Sequence, residues 1–246
     1  MSNKYVLIRG LVRGNGHWGD FPKFLQSADP GCVIEFCEIP GNGTRNREVT
    51  NIDPKSIIDE FRSRSEFCKQ GQPFIICGVS LGGMLALKWL ELYPRDIQKT
   101  VVINSSLNSL SSFYDRLNYR NYFKILKILW TQDLELREKL ILQLTSNQTP
   151  IDWAAEQKMI EFSRRYPIRK INFIRQLILA QRIHVPKTLK QPIYIVQSLL
   201  DGLVNSRCSA HLALYLKAKL ISRPKAGHDL PFDEPQWLAD FLTSLD

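Results

Sequence analysis

Three residues in this 246-residue chain have the types and surroundings for nucleophilic chemistry: Ser80, Asp201 and His228. Ser80 is the centre of Gly78-Val79-Ser80-Leu81-Gly82, a GxSxG pattern extended by Gly83. A strand candidate runs into it and a helix candidate runs out. A serine on such a sharp turn has its hydroxyl pushed clear of the sheet, and side chains at the flanking glycines would collide with strand and helix. A serine hydroxyl is a weak nucleophile at neutral pH, so it needs a base, and the base needs an orienting acid. Where GxSxG carries the nucleophile, acid and base follow it in that chain order. Asp201 follows the strand candidate Ile193–Gln197, and His228 follows Lys219–Ser222. Among the competitors, His184 and His211 fall in helix candidates and His17 comes too early in the chain. Asp229, adjacent to His228, is expected to point elsewhere.

The developing oxyanion needs two N–H donors. One is the backbone of Leu81, at the start of a helix whose positive dipole end faces the site. The other is expected from the loop after the first strand, Arg9-Gly10-Leu11-Val12, with Leu11 as the donor. That loop continues as Gly14-Asn15-Gly16-His17-Trp18. It matches neither GxGxxG nor a P-loop, so it carries no nucleotide signature.

The elements that would position these groups read as an α/β scaffold. Tyr5–Ile8, Val33–Phe36, Phe74–Cys77, Thr100–Ile103, Ile193–Gln197 and Lys219–Ser222 are strand candidates, several of them continuous apolar runs as in a parallel sheet covered on both faces. Helices are expected over Lys55–Cys68, Leu81–Tyr93, Ser206–Leu216 and Pro235–Leu245, with Pro94 closing the second. The alternation implies a mostly parallel central sheet flanked by helices. From Leu107 to Lys190 no strand pattern occurs. Leucines and isoleucines recur there at helical spacing, and Pro150, Pro167 and Pro186 divide the segment into about four helices. The division is therefore a core of residues 1–106 and 191–246, with 107–190 as a helical cap inserted between two strands, not an independent domain.

Composition narrows the class. Hydrophobic residues make up 44% and charged residues 23%, as in a soluble globular protein. The uncharged stretch Gln70–Leu87 brushes the length of a membrane span, but its proline and glycines read as strand, turn and helix. The first ten residues lack a long apolar stretch, which predicts a cytoplasmic protein. The five cysteines include no CxxC pair and the four histidines no HExxH, so disulfides and a bound metal are not expected. Net charge is +9, and the excess is concentrated: residues 107–190 hold 15 Lys and Arg against 7 Asp and Glu. Such asymmetry marks either attraction to an acidic partner or a solvated face. No nucleic-acid motif accompanies it.

The chain resembles an α/β hydrolase with a helical cap over almost its whole length. Arg9-Gly10-Leu11-Val12 with Trp18 is similar to the family's HGxxG…W loop, and Pro40-Gly41-Asn42-Gly43 to its PGHG turn. Gly78 to Gly83 resembles the nucleophile elbow, while Asp201-Gly202-Leu203-Val204 and Gly227-His228 resemble the acid and base loops. The resemblance implies a serine carboxylesterase or thioesterase acting through an acyl-enzyme on a small-molecule acyl substrate, with no cofactor. Within the family the pattern is similar to the pimeloyl-ACP methyl ester esterases and to the menaquinone-pathway synthases. The first likeness implies an acidic acyl carrier protein as a partner for the basic cap; the second implies a C–C or lyase-type elimination with the same three residues. A catalytically silent binding protein is the remaining alternative. Trp18, Phe123 and Trp130 are candidate substrate contacts, as is Trp153, although cap aromatics also serve as packed core. The family's two loop histidines are Arg9 and Asn42 here. Arg9 either pairs with a carboxylate or binds an acidic substrate group.

Overall fold

A computed structural model describes residues 2–245. Six strands form one parallel sheet: β1 (Lys4–Ile8), β2 (Val33–Cys37), β3 (Phe74–Val79), β4 (Ile97–Ile103), β5 (Ile193–Ser198) and β6 (Lys219–Arg223), in the order β2-β1-β3-β4-β5-β6. All six expected strands are present. The chain winds from β1 out to β2 and returns across to β3, so direction reverses between β1 and β3. Open α/β sheets place their sites at such a crevice, beyond the C-terminal strand ends.

Before β4 come α1 (Phe21–Ala28), α2 (Pro54–Arg64), α3 (Glu66–Lys69) and α4 (Leu81–Leu92). Between β4 and β5 lie α5 (Phe113–Arg116), α6 (Tyr122–Trp130), α7 (Leu134–Thr145), α8 (Trp153–Arg165) and α9 (Lys170–Arg182), and no strand is described there. After β5 follow α10 (Arg207–Leu216), α11 (Leu230–Asp233) and α12 (Pro235–Thr243). The single helix expected over 55–68 is broken at Ser65. That residue is extended, and its hydroxyl caps α3 by accepting from the Cys68 N–H. The hydroxyl also donates to Glu35 of β2. The short α1 was not among the expected helices, although Phe21, Phe24, Leu25 and Ala28 recur at helical spacing over about two turns.

Side-chain alternation along the strands builds two cores. Val6, Ile8, Phe74, Ile76 and Val102 face α2, α4 and α10, where Ile57, Phe61, Leu85, Trp89 and Leu212 bury. Tyr5, Leu7, Ile75, Val101 and Val196 face α1 and α12, against Phe21, Leu25, Leu238 and Leu242. Each fully buried side chain of this kind contributes about 1.5–3 kcal/mol. Leu179 of α9, with Ile183 and Val185 just beyond it, joins the first core, so the inserted helices are anchored at their C-terminal end.

Candidate active site

β3 ends at Val79 and α4 begins at Leu81, leaving Ser80 alone to make the turn, with φ 55° and ψ −117°. A left-handed non-glycine residue costs about 1–3 kcal/mol and persists only where its neighbours over-determine it. Here they do. The Ser80 N–H donates to the Ile103 carbonyl at 2.8 Å. The Ser80 carbonyl accepts from Gly83 N at 3.0 Å and from Ser105 Oγ at 2.8 Å. The flanking glycines are sterically required: a Cβ on Gly78 would lie 2.3 Å from the Gly82 carbonyl oxygen, and one on Gly82 2.2 Å from that of Ile8.

Asp201 and His228 meet beyond the ends of β5 and β6. His228 Nδ1 lies 2.7 Å from Asp201 Oδ2. A carboxylate only accepts, so Nδ1 carries the proton and Nε2 is left with its lone pair. Asp201 Oδ1 accepts from the N–H groups of Leu203 at 2.7 Å and Val204 at 2.8 Å, which holds the carboxylate in one orientation. Both side chains are buried. Ser80 and His228 line the same cavity of about 460 Å³. Ser80 Oγ and His228 Nε2 have no hydrogen-bond partner among the described residues; catalytic contacts are commonly long without substrate and tighten in the complex.

Leu11 and Leu81 line this cavity too. Their N–H groups make no hydrogen bond among the described residues. Gly10 brings the first loop against Ser80: a Cβ there would stand 3.0 Å from the Ser80 Cβ. Ser80, Asp201, His228, Leu11 and Leu81 therefore all lie beyond the C-terminal ends of the strands, Leu11, Ser80 and Leu81 after β1 and β3 and the other two after β5 and β6.

The model of the alpha/beta hydrolase family matches residues 6–241. The chain belongs to that family. Comparison with curated proteins found no match. Solved α/β-hydrolase-like structures share the fold at low identity. The esterase RhEst1 from Rhodococcus sp. ECU1013 is 14% identical with a TM-score of 0.78, covering 100% of this chain and 92% of that one. A lipase-esterase related protein from Clostridium acetobutylicum ATCC 824 is 17% identical with a TM-score of 0.73, covering 99% and 94%. The 2-hydroxy-6-oxo-6-phenylhexa-2,4-dienoate hydrolase of Rhodococcus sp. strain RHA1 is 15% identical with a TM-score of 0.74, covering 98% and 89%.

In this α/β hydrolase both Arg9, which lines the cavity, and Asn42 are held by protein contacts. Arg9 forms a buried two-pronged pair with Asp229, at 2.8 and 2.6 Å, and lies over the Trp18 ring. Burial alone would raise the Asp229 pKa, but the Arg9 guanidinium outweighs it and holds the carboxyl below its usual range. Asn42 donates to the Arg13 carbonyl at 3.0 Å and accepts from Gln176 Nε2 at 2.7 Å. His17 is held neutral, its pKa well below the ordinary value because it is buried and faces Arg13 and Arg9.

The candidate substrate contacts fall elsewhere. Trp18 is in the core beside Phe21, beneath Arg9, and does not line the cavity. Phe123 and Trp130 are 88% and 74% exposed on the outer side of α6, and Trp153 is 72% exposed; none of them lines the cavity or is buried. The lining comes instead from Met84, Ile125, Ile128, Ile141, Leu144 and Phe173. Helical periodicity finds an apolar face without saying what it meets.

Two residues that hold the site had no signal in the sequence beyond being polar. Asn104, just after β4 with φ 47°, is buried. Its amide donates to Ser198 Oγ at 2.9 Å and to the His228 carbonyl at 2.9 Å, and accepts from Ser198 N at 2.7 Å. It thus ties the Asp201 and His228 loops together. Gln176 of α9 is fully buried and accepts from the Val12 N–H at 2.9 Å, next to Leu11.

Proposed function

We propose that this chain is a serine hydrolase of carboxylic esters or thioesters. The observation that carries the reading is the oriented His228–Asp201 pair on the cavity that also holds Ser80 in its strained turn. In this mechanism Ser80 Oγ attacks the acyl carbonyl while His228 Nε2 takes its proton. Asp201 stabilises the imidazolium, and the Leu11 and Leu81 N–H groups bind the oxyanion. His228 returns the proton to the departing alcohol or thiol, leaving an acyl group on Ser80. Water, deprotonated by His228, then releases the acid.

Residues 107–190 act as a cap, with the apolar lining taking the acyl chain. The cavity has polar additions as well. Arg116, Arg137 and Lys170 line it and form no ion pair among the described residues. That favours a second reading, cleavage of a C–C bond in a carboxylate-bearing substrate by the same residues. The Rhodococcus RHA1 neighbour is by its name a hydrolase of a carboxylate-bearing dienoate. The test is turnover of p-nitrophenyl esters of increasing chain length by wild type and Ser80→Ala. Ester turnover that disappears in the variant supports the esterase. A folded wild type with no ester turnover, but activity on a vinylogous 1,5-diketone acid, would move the function to the second reading.

A further inference from the structure

The outer face of α6 is apolar and exposed. The helix reads Tyr-Phe-Lys-Ile-Leu-Lys-Ile-Leu-Trp, apolar at seven of its nine positions, yet none of its residues is buried. A helix apolar around its circumference belongs in a core or in lipid. Its inner side, with Ile125, Ile128 and Leu129, lines the cavity. At about 100° per residue, Leu126, Trp130, Phe123 and Lys127 fall within one arc of about 100° on the other side. Three of these are the exposed apolar residues Phe123, Trp130 and Leu126. The preceding turn adds exposed Tyr119, and Phe113 and Tyr114 extend the patch; the Phe113 ring lies 6.5 Å from that of Tyr122.

The charge around this face has one sign. From Arg116 to Gln132 there are four cations, Arg116, Arg120, Lys124 and Lys127, and no Asp or Glu. Lys124 and Lys127 are exposed and form no ion pair among the described residues. A second copy of this chain fits poorly, because a two-fold contact would set these cations against their own images. Aromatic rings projecting outward beside lysines suit a negatively charged lipid surface. The rings enter the headgroup boundary there, and the ammonium groups meet the phosphates.

We propose that α6 is a peripheral docking element for an anionic lipid surface, lying in the plane of the interface with Phe123, Leu126 and Trp130 inserted. Because its other side lines the cavity, docking brings the site's wall against the layer from which an acyl substrate would enter.

The test is flotation with vesicles of phosphatidylcholine, alone and with phosphatidylglycerol added, at low and physiological salt. Wild type and Ser80→Ala are run side by side, so that failure of docking and failure of the hydrolase reading are separate results. Binding to the anionic vesicles, with a blue shift of tryptophan fluorescence that Trp130→Ser removes, is expected. Phe123→Ser with Trp130→Ser weakens it at least about tenfold. Lys124→Glu with Lys127→Glu weakens it more than about twentyfold and abolishes the preference for anionic lipid. The substituted side chains are exposed, and an unchanged melting curve confirms folding. Three outcomes overturn the proposal: wild type that floats with neither vesicle, flotation indifferent to the aromatic variant, or a dimer that the aromatic variant dissolves in the absence of lipid.

Discussion

The two walls of the cavity are held in place by different forces. On the sheet side, Leu7, Ile8, Ile76 and Leu85 are fully buried, and apolar burial fixes the loops that carry Ser80 and His228. On the other side, α6 buries nothing and α8 only Met159 and Ile160. Beyond the apolar anchor at Leu179, Ile183 and Val185 and the small Leu142–Met159–Phe232 cluster, the inserted helices are joined to the core by discrete polar contacts. Gln176 reaches Val12 and Asn42, Asn172 reaches Thr50 and Glu48, and Arg13 pairs with Glu138. Burial of a broad apolar face resists local opening, whereas a few polar pins let one wall shift as a unit. Under the proposed function, the sheet side would set the chemistry and the inserted helices would adapt to the acyl group.

The sharpest way to break this contrast is to remove the Arg9–Asp229 pair buried on the sheet side. Arg9→Met leaves Asp229 buried without a partner and is expected to cost about 3–5 kcal/mol in urea denaturation. Asp229→Asn in the same chain should recover part of the loss. Next in size is core truncation: Leu7→Ala is expected to cost about 2–5 kcal/mol, while Leu126→Ala on α6 changes stability by less than about 0.5 kcal/mol. Equal losses at the two positions would erase the distinction between the walls.

Gln176→Ala tests the pins. It strips the Val12 N–H of its acceptor and is expected to cost about 1–3 kcal/mol. Hydrogen exchange at Val12 should quicken, and kcat for an ester should fall further than KM rises, because the Leu11 loop loses its anchor. A purely structural loss would leave the kinetic constants of the folded fraction unchanged.

The smallest effect concerns pH. The folded-state pKa of His17 lies below its unfolded value of 6.5, chiefly through burial. Between those two values the unfolded chain binds more protons than the folded one. The contribution of His17 is thus complete above pH 6.5 and is lost as pH falls toward the folded value. Stability should decline on acidification through this window, and His17→Gln should flatten the decline.

What could be read from the sequence follows the same contrast. Continuous runs such as Phe74–Val79 announce strands buried on both faces, and the GxSxG turn announces its own geometry through steric necessity at Gly78 and Gly82. That Asp201 and His228 lie at strand ends was legible from the chain order Ser, Asp, His together with the strand candidates before them. Asn104 was not, since its partners Ser198 and His228 lie 94 and 124 residues along the chain. Gln176 meets Val12 across 164 residues. Contacts at such separations leave no periodicity. Trp18, Phe123 and Trp130 do not line the cavity for a related reason: a large apolar side chain marks a face, and only the packed structure decides whether core, cavity or solvent covers it.

The most direct test of the account is the rate and position of covalent labelling by a fluorophosphonate, read by peptide mass mapping. The account predicts a single adduct on Ser80, absent in Ser80→Ala and formed far more slowly in Asp201→Asn. A folded wild type that remains unlabelled, or an adduct on a different serine, would contradict it.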